Sequence, residues 1–187
     1  AEPGALPLVM KVPRLKGGSD PTTIVGFEVE QMIVPTLGGP HVPKFVAKGD
    51  FTRQPYIVME RIGGPSLRAR FDAAPLPLAE VVEAGWKVAT ALHDLHRQHV
   101  IHLDVKPSNI MFRQGADGKR GDAVLVDFGL SRHDLLPDLL DEEFELPMGT
   151  GPYMSPEQVQ FVRNDPRSDL FALGVLLYHL ATGERPF

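Results

Sequence analysis

His102-Leu103-Asp104-Val105-Lys106-Pro107-Ser108-Asn109 is the stretch from which the rest of the chain can be read. An acid, a base and an amide fall together there, between the apolar pair Val100-Ile101 and the apolar run Ile110-Met111-Phe112. So polar a stretch cannot be a core strand. Flanked in this way it reads as a rigid loop between two short strands, and such loops carry chemistry. Further on, Ala123-Val124-Leu125-Val126 makes another short buried strand, ending in Asp127-Phe128-Gly129. Two carboxylates and an amide are therefore presented at strand ends.

In order, spacing and flanking strands, His102-x-Asp104-x-Lys106-Pro107-x-Asn109 followed by Asp127-Phe128-Gly129 resembles the protein kinase family, of the serine/threonine type shared by bacteria and eukaryotes. The resemblance implies an α+β, two-lobed fold with ATP and a divalent metal between the lobes. A small β-rich lobe with one helix is expected over residues 1–61, and a larger, mostly helical lobe over 62–187. By the same resemblance Asp104 accepts the proton of a substrate hydroxyl, Lys106 neutralises the γ-phosphate, and Asn109 and Asp127 hold magnesium or manganese. Electrostatics supports the metal: two unit charges about 4 Å apart at an effective dielectric near 20 repel by about 4 kcal/mol, so Asp127 needs a cation between itself and a triphosphate. A neutral amide oxygen from Asn109 suits a hard cation.

Towards the N-terminus, Leu6-Pro7-Leu8-Val9-Met10-Lys11-Val12 reads as a strand. Taken alone, Lys11 is a solvated strand-end lysine; the resemblance makes it the lysine that holds the α- and β-phosphates. Thr22 to Leu37 reads as a helix that Pro35 shortens or bends, and both Glu28 and Glu30 could pair with Lys11. The family's spacing from this glutamate to Leu37 and Pro40 selects Glu30, and puts Val34 and Phe45 in an apolar column running to Phe128 and His102. Val42 to Ala47 and Pro55 to Glu60 form an antiparallel pair, after which Gly63-Gly64-Pro65 marks a lobe boundary. By resemblance Met59 guards the back of an adenine pocket, Glu60 to Ile62 form the hinge whose backbone meets the adenine edge, and Val9 and Met111 belong to the same nucleotide site. The bland reading of Met59 is a buried strand methionine before a surface turn.

Leu78 through Gln98 carries apolar residues at a period near 3.6, including Val81, Val82, Val88, Leu92 and Leu95, and reads as one long helix with Trp86 in the core. His93, His96 and His99 read as ordinary surface or core histidines rather than metal ligands. Gly149 to Glu157 resembles the motif that closes the kinase activation segment, with Ser155 where alanine is usual; Thr150 is then expected to touch Asp104 and Lys106 and to help seat a serine or threonine substrate. Arg167 opens a further apolar helix with Ser168 as its cap, and the family adds that Asp169 bonds the catalytic-loop backbone.

Bulk properties narrow the alternatives. A length of 187 residues can bury roughly 70% of the unfolded surface. A net charge of −5 without a basic run argues against general nucleic-acid or anionic-membrane binding. Cysteine is absent, which excludes thiol chemistry and suits a reducing cytoplasm. The 18 prolines, about twice the usual share of roughly 5%, fall at turns and helix starts and so stiffen a globular chain.

Two departures from the family pattern agree with each other. Leu103 stands where an arginine commonly precedes the catalytic aspartate, and between Arg132 and Gly149 there are six carboxylates but no serine, threonine or tyrosine. The activation segment is therefore expected to take its working shape without phosphorylation. The ten residues before Lys11 are too few for a glycine-rich hairpin over the phosphates, so a central piece of a kinase domain, of doubtful activity by itself, is expected. Two other readings stay open: a scaffold of the same fold that binds partners without catalysis, and a small-molecule kinase, which would generally lack Lys106 and the Gly149–Glu157 motif.

Overall fold

The computed structural model describes residues 6–13, 21–115 and 120–187. Its first part is a three-stranded antiparallel sheet of β1 (Leu8–Lys11), β2 (Phe45–Gly49) and β3 (Tyr56–Glu60), in the order β1-β3-β2, with helix α1 (Pro21–Ile33) in sequence between β1 and β2. Lys11 lies opposite Ile57 and Val9 opposite Met59, which fixes the register that aims Lys11. Phe27, Ile57 and Met59 close a small core under this sheet, with Phe45 against it.

The second part is mostly helical. In chain order it contains α2 (Arg68–Phe71), α3 (Leu78–His96), β4 (Val100–Ile101), β5 (Ile110–Gln114), β6 (Arg120–Leu125), β7 (Arg132–His133), α4 (Leu139–Glu143), α5 (Pro156–Val159) and α6 (Arg167–Thr182). The short strands pair as hairpin β5-β6 and as β4-β7, so the loop between β4 and β5 and the end of β6 emerge side by side. Helices α3 and α6 pack together beneath them, through Val88, Leu92 and Leu95 of the first and Leu173, Leu176 and Leu180 of the second. Each such side chain, fully buried, contributes roughly 1.5–3 kcal/mol. Helix α6 ends at Gly183, whose φ of 79° is the left-handed conformation that stops a helix.

Several sequence expectations are corrected. Trp86 is not in the core: it is 76% exposed, and Val82 is 61% exposed on the same outer face of α3 with Leu78. The inward face is set by residues 81, 84, 85, 88, 91, 92 and 95. Helix α1 stops at Ile33, because Pro35 lacks the N–H that would continue it, and Val34–Thr36 tighten into a 3-10 turn. Strand β2 begins at Phe45 rather than Val42, and Ser168 does not cap α6. It is the second helical residue, and its hydroxyl lies 2.8 Å from that of Ser155.

Candidate active site

Three structural elements converge on one cleft. Lys11, at the end of β1, donates to Glu30 Oε2 of α1 at 2.5 Å and to Asp127 Oδ1 at 2.7 Å. Glu28, the competing acid, is exposed. Glu30 also lies 3.4 Å from the backbone N–H of Phe128, so one buried carboxylate joins the small sheet to the Asp127-Phe128-Gly129 turn. Burial raises the Glu30 carboxyl above its ordinary range despite Lys11 beside it. Burial works against charge on Lys11 as well, but Glu30 and Asp127 outweigh it and raise the ammonium. For Asp127, half-exposed, partial burial pushes upward, but Lys11 outweighs it and the carboxyl is lowered.

The approach of α1 to this turn is close. A Cβ on Gly26 would lie 2.9 Å from the carbonyl oxygen of Gly129, nearer than side-chain carbons come to backbone. Gly26 therefore sets how near Glu30 can stand to Lys11 and Asp127.

Below the cleft, the loop after β4 holds Asp104, 7% exposed. Its Oδ1 accepts from Thr150 Oγ1 at 2.6 Å, and its Oδ2 from Lys106 Nζ at 2.6 Å and Asn109 Nδ2 at 3.1 Å. Lys106 also reaches Thr150 at 3.2 Å. The loop is held in shape from beneath. Asp169, on α6, accepts from the backbone N–H groups of His102 and Leu103, each at 2.8 Å, and meets His96 Nε2 at 2.8 Å. Leu103 has φ 59° and Asp127 φ 67°, left-handed values that cost a residue other than glycine about 1–3 kcal/mol and persist only when the surroundings impose them. For Leu103 the constraint comes from Asp169 on its N–H and Gln158 Nε2 on its carbonyl, at 2.8 Å each. The His102 and Phe128 rings lie 5.2 Å apart, and Phe128 joins Val34 in the main core with Phe45 packed against it.

The residues expected at a nucleotide line one cavity of about 580 Å³. They are Val9, Lys11, Glu30, Met59, Glu60, Ile62, Asn109, Met111 and Asp127. Asp104 and Thr150 lie outside it; Asp104 lines an adjoining opening of about 680 Å³ that shares Lys11, Glu30 and Asp127 with the first. The donors facing the cleft suit a hard cation: the Asp127 carboxylate and the Asn109 amide oxygen, the latter 3.2 Å from Ser108 Oγ. Among the described residues no group of three or more His, Asp or Glu forms a metal cage by itself.

Two features were missed by sequence reasoning. Arg113 of β5 holds both carboxylate oxygens of Glu60, with Nη2 to Oε2 at 3.0 Å, and donates from Nε to Pro40 O at 2.9 Å. Arg113 thereby lowers the Glu60 carboxyl and ties the end of β3 to β5 in the second part of the fold. The buried amide of Gln158 donates to Leu103 O and, more weakly, to Met148 O at 3.4 Å, and it completes a capping box with Ser155. Arg113 lies 53 residues from Glu60, and Gln158 lies 55 from Leu103, so no local pattern announces either.

A small antiparallel sheet with one helix, set against a helical part that offers two carboxylates and an amide across a cleft, defines the kinase class of folds. The chain belongs to the protein kinase domain family, whose sequence model matches residues 15–187. Lys11 lies just before that match, and its place rests on the geometry above. The chain is 35% identical over 182 residues to the serine/threonine-protein kinase PknL of Mycobacterium tuberculosis, covering 97% of this chain and 44% of that protein. It is 32% identical over 185 residues to PknB of Mycobacterium leprae, covering 96% and 29%. To a probable serine/threonine-protein kinase PknB of Lactococcus lactis it is 29% identical over 181 residues, covering 96% and 28%. The chain thus spans less than half the length of these relatives.

Proposed function

We propose that the protein containing this chain transfers the γ-phosphate of ATP to serine or threonine hydroxyls of other proteins. The observation that carries this reading is the Asp104 cluster, in which one carboxylate is held by Lys106, Asn109 and Thr150 beside a cleft that ends in the Lys11–Glu30–Asp127 network. Residues 1–61 and 62–187 act as the two lobes. The base of the cavity around Val9, Met59 and Met111 takes the adenine, with the hinge backbone from Glu60 to Ile62 at its edge. Lys11, fixed by Glu30, holds the α- and β-phosphates; Asn109 and Asp127 would hold magnesium or manganese, which supplies charge neutralisation at the phosphates. Asp104 orients the attacking hydroxyl and takes its proton, Lys106 faces the transferring phosphoryl group, and Thr150 helps seat the substrate.

A protein acceptor is favoured over a small molecule by Lys106 and by the Gly149–Glu157 motif, whose Thr150 bonds both Asp104 and Lys106. Among the described residues no helix is long and apolar enough to cross a membrane. Action on cytoplasmic proteins fits the acidic, cysteine-free composition. The test is phosphoryl transfer from labelled ATP by the full-length protein to a generic basic protein, followed by phosphoamino-acid analysis. Label on serine or threonine is expected. Label on tyrosine alone, or on aminoglycoside or choline acceptors and not on protein, would overturn the assignment.

A further inference from the structure

The segment after Asp127-Phe128-Gly129 pairs with β4 through β7 and carries, beyond that backbone pairing, a charged fastening. Arg163, in the loop between α5 and α6, reaches back 25 residues to Asp138. Its Nε donates to Oδ2 at 2.9 Å and its Nη2 to Oδ1 at 3.1 Å, and the same Nη2 reaches Leu130 O at 3.2 Å. From the other side Arg132 Nε lies 3.5 Å from Asp138 Oδ2, while its Nη1 donates to Asp134. The Asp138 and Arg163 side chains are only 14% and 10% exposed, so this two-pronged pair is poorly screened by water, unlike an ordinary surface ion pair.

Asp138 also organises the residues immediately after it. Its Oδ1 lies 3.4 Å from the N–H of Asp141 and caps α4. That short helix buries Leu140 completely and packs against α1, the helix that carries Glu30. One carboxylate thus links the loop before α6, the β7 arginine and the helix resting on α1. A phosphate ester added to a loop acts in the same manner, by presenting anionic oxygens to arginines.

We infer that Asp138, clasped by Arg163 and Arg132, is a built-in counterion that holds residues 130–148 in their working shape and takes the place of an added phosphate. Between Arg132 and Gly149 the sequence has no hydroxyl side chain to carry a phosphate, and position 103 is leucine, while Asp138 supplies a carboxylate to the two arginines. Its consequence for activity rests on the kinase reading; its consequence for the segment's order does not. Asp138 and Arg163 are positioning residues, acting through the segment and not on substrate.

The test uses the full-length protein with Asp138→Asn and, separately, Arg163→Met and Arg163→Lys. Asparagine keeps the size and the capping ability of aspartate, so that variant removes the charge and leaves the helix start intact. Amide exchange over residues 130–148 is expected to quicken about tenfold or more in Asp138→Asn and Arg163→Met, with a smaller change in Arg163→Lys, which keeps the charge but loses the fork. Phosphoryl transfer is expected to fall about tenfold or more, in kcat more than in KM for ATP, and phosphatase treatment of the parent is expected to leave its transfer unchanged. Exchange as slow in both charge-removing variants as in the parent would overturn the clasp, and so would loss of the parent's transfer on phosphatase treatment. A parent that transfers nothing counts against the kinase reading alone, and the exchange arm then decides the clasp.

Discussion

Gly26→Ala separates two opposed effects that the structure allows to be weighed. Alanine in the middle of α1 gains about 0.8–1.0 kcal/mol of helix propensity over glycine. At this position, however, the new methyl would stand 2.9 Å from Gly129 O, where ordinary contact begins at 3.4 Å, a shortfall of about 0.5 Å against backbone that cannot rotate away. Overpacking of this kind typically costs about 1–3 kcal/mol. The net expectation is a loss of roughly 0–2 kcal/mol in place of the gain seen at an open helical site, measured by urea unfolding. Activity should suffer more than stability. If α1 recoils by about 0.5 Å, Glu30, one turn further along, retreats with it, and its 3.4 Å approach to the Phe128 N–H passes beyond hydrogen-bonding range. Because a displacement of about 1 Å can cost about a hundredfold in rate, roughly tenfold in kcat/KM for ATP is expected here. A variant that is more stable than the parent and equally active would refute the reasoning, since α1 and the 127–129 turn would then have slack between them.

The remaining expectations concern two buried carboxylates and one exposed aromatic ring. Asp169→Ala strands the buried N–H groups of His102 and Leu103; at about 1–3 kcal/mol each, a loss of roughly 2–6 kcal/mol is expected in denaturant unfolding, and a loss below about 1 kcal/mol would contradict the assigned bonds. Glu30→Gln should abolish most phosphoryl transfer: the neutral amide escapes the burial that raises the Glu30 carboxyl, but it leaves Lys11 with Asp127 as its charged partner. The sign of the pH effect is fixed by that direction: the folded chain holds the Glu30 proton more tightly than the unfolded chain, so this group disfavours folding as pH rises from the unfolded value near 4.3 through the folded one. The Tm of the variant relative to the parent is therefore expected to be higher at pH 7 than at pH 4, and the reverse order would contradict the assignment. Trp86→Gln, at a side chain 76% exposed, is expected to change stability by less than about 0.5 kcal/mol; a loss above about 2 kcal/mol would restore Trp86 to the core.

The cleft was legible in the sequence because its parts are short strings whose polarity clashes with their surroundings. Asp104, Lys106 and Asn109 sit between apolar strands, and Asp127 ends another, so chemistry and local structure pointed the same way. The choice of Glu30 over Glu28 needed the resemblance, since two acids two residues apart on a helix differ in face and not in type. Trp86 was misread for a related reason: an aromatic residue within an apolar period invites burial, while only the helix's rotation against α6 decides which face is covered. Arg163 with Asp138 and Arg113 with Glu60 were invisible because each pair joins segments far apart in the chain, and a lone arginine in a loop reads as solvated until the fold supplies its partner.

The central claim is that Asp104 performs the proton-accepting role at a nucleotide cleft, and Asp104→Asn in the full-length protein tests it most directly. ATP affinity with magnesium is expected to stay within about threefold of the parent, because Asp104 does not line the cavity proposed for the nucleotide, while phosphoryl transfer to protein falls by about 10² to 10⁴. Transfer undiminished by the substitution, with ATP still bound, would contradict the account and leave a nucleotide-binding scaffold in its place.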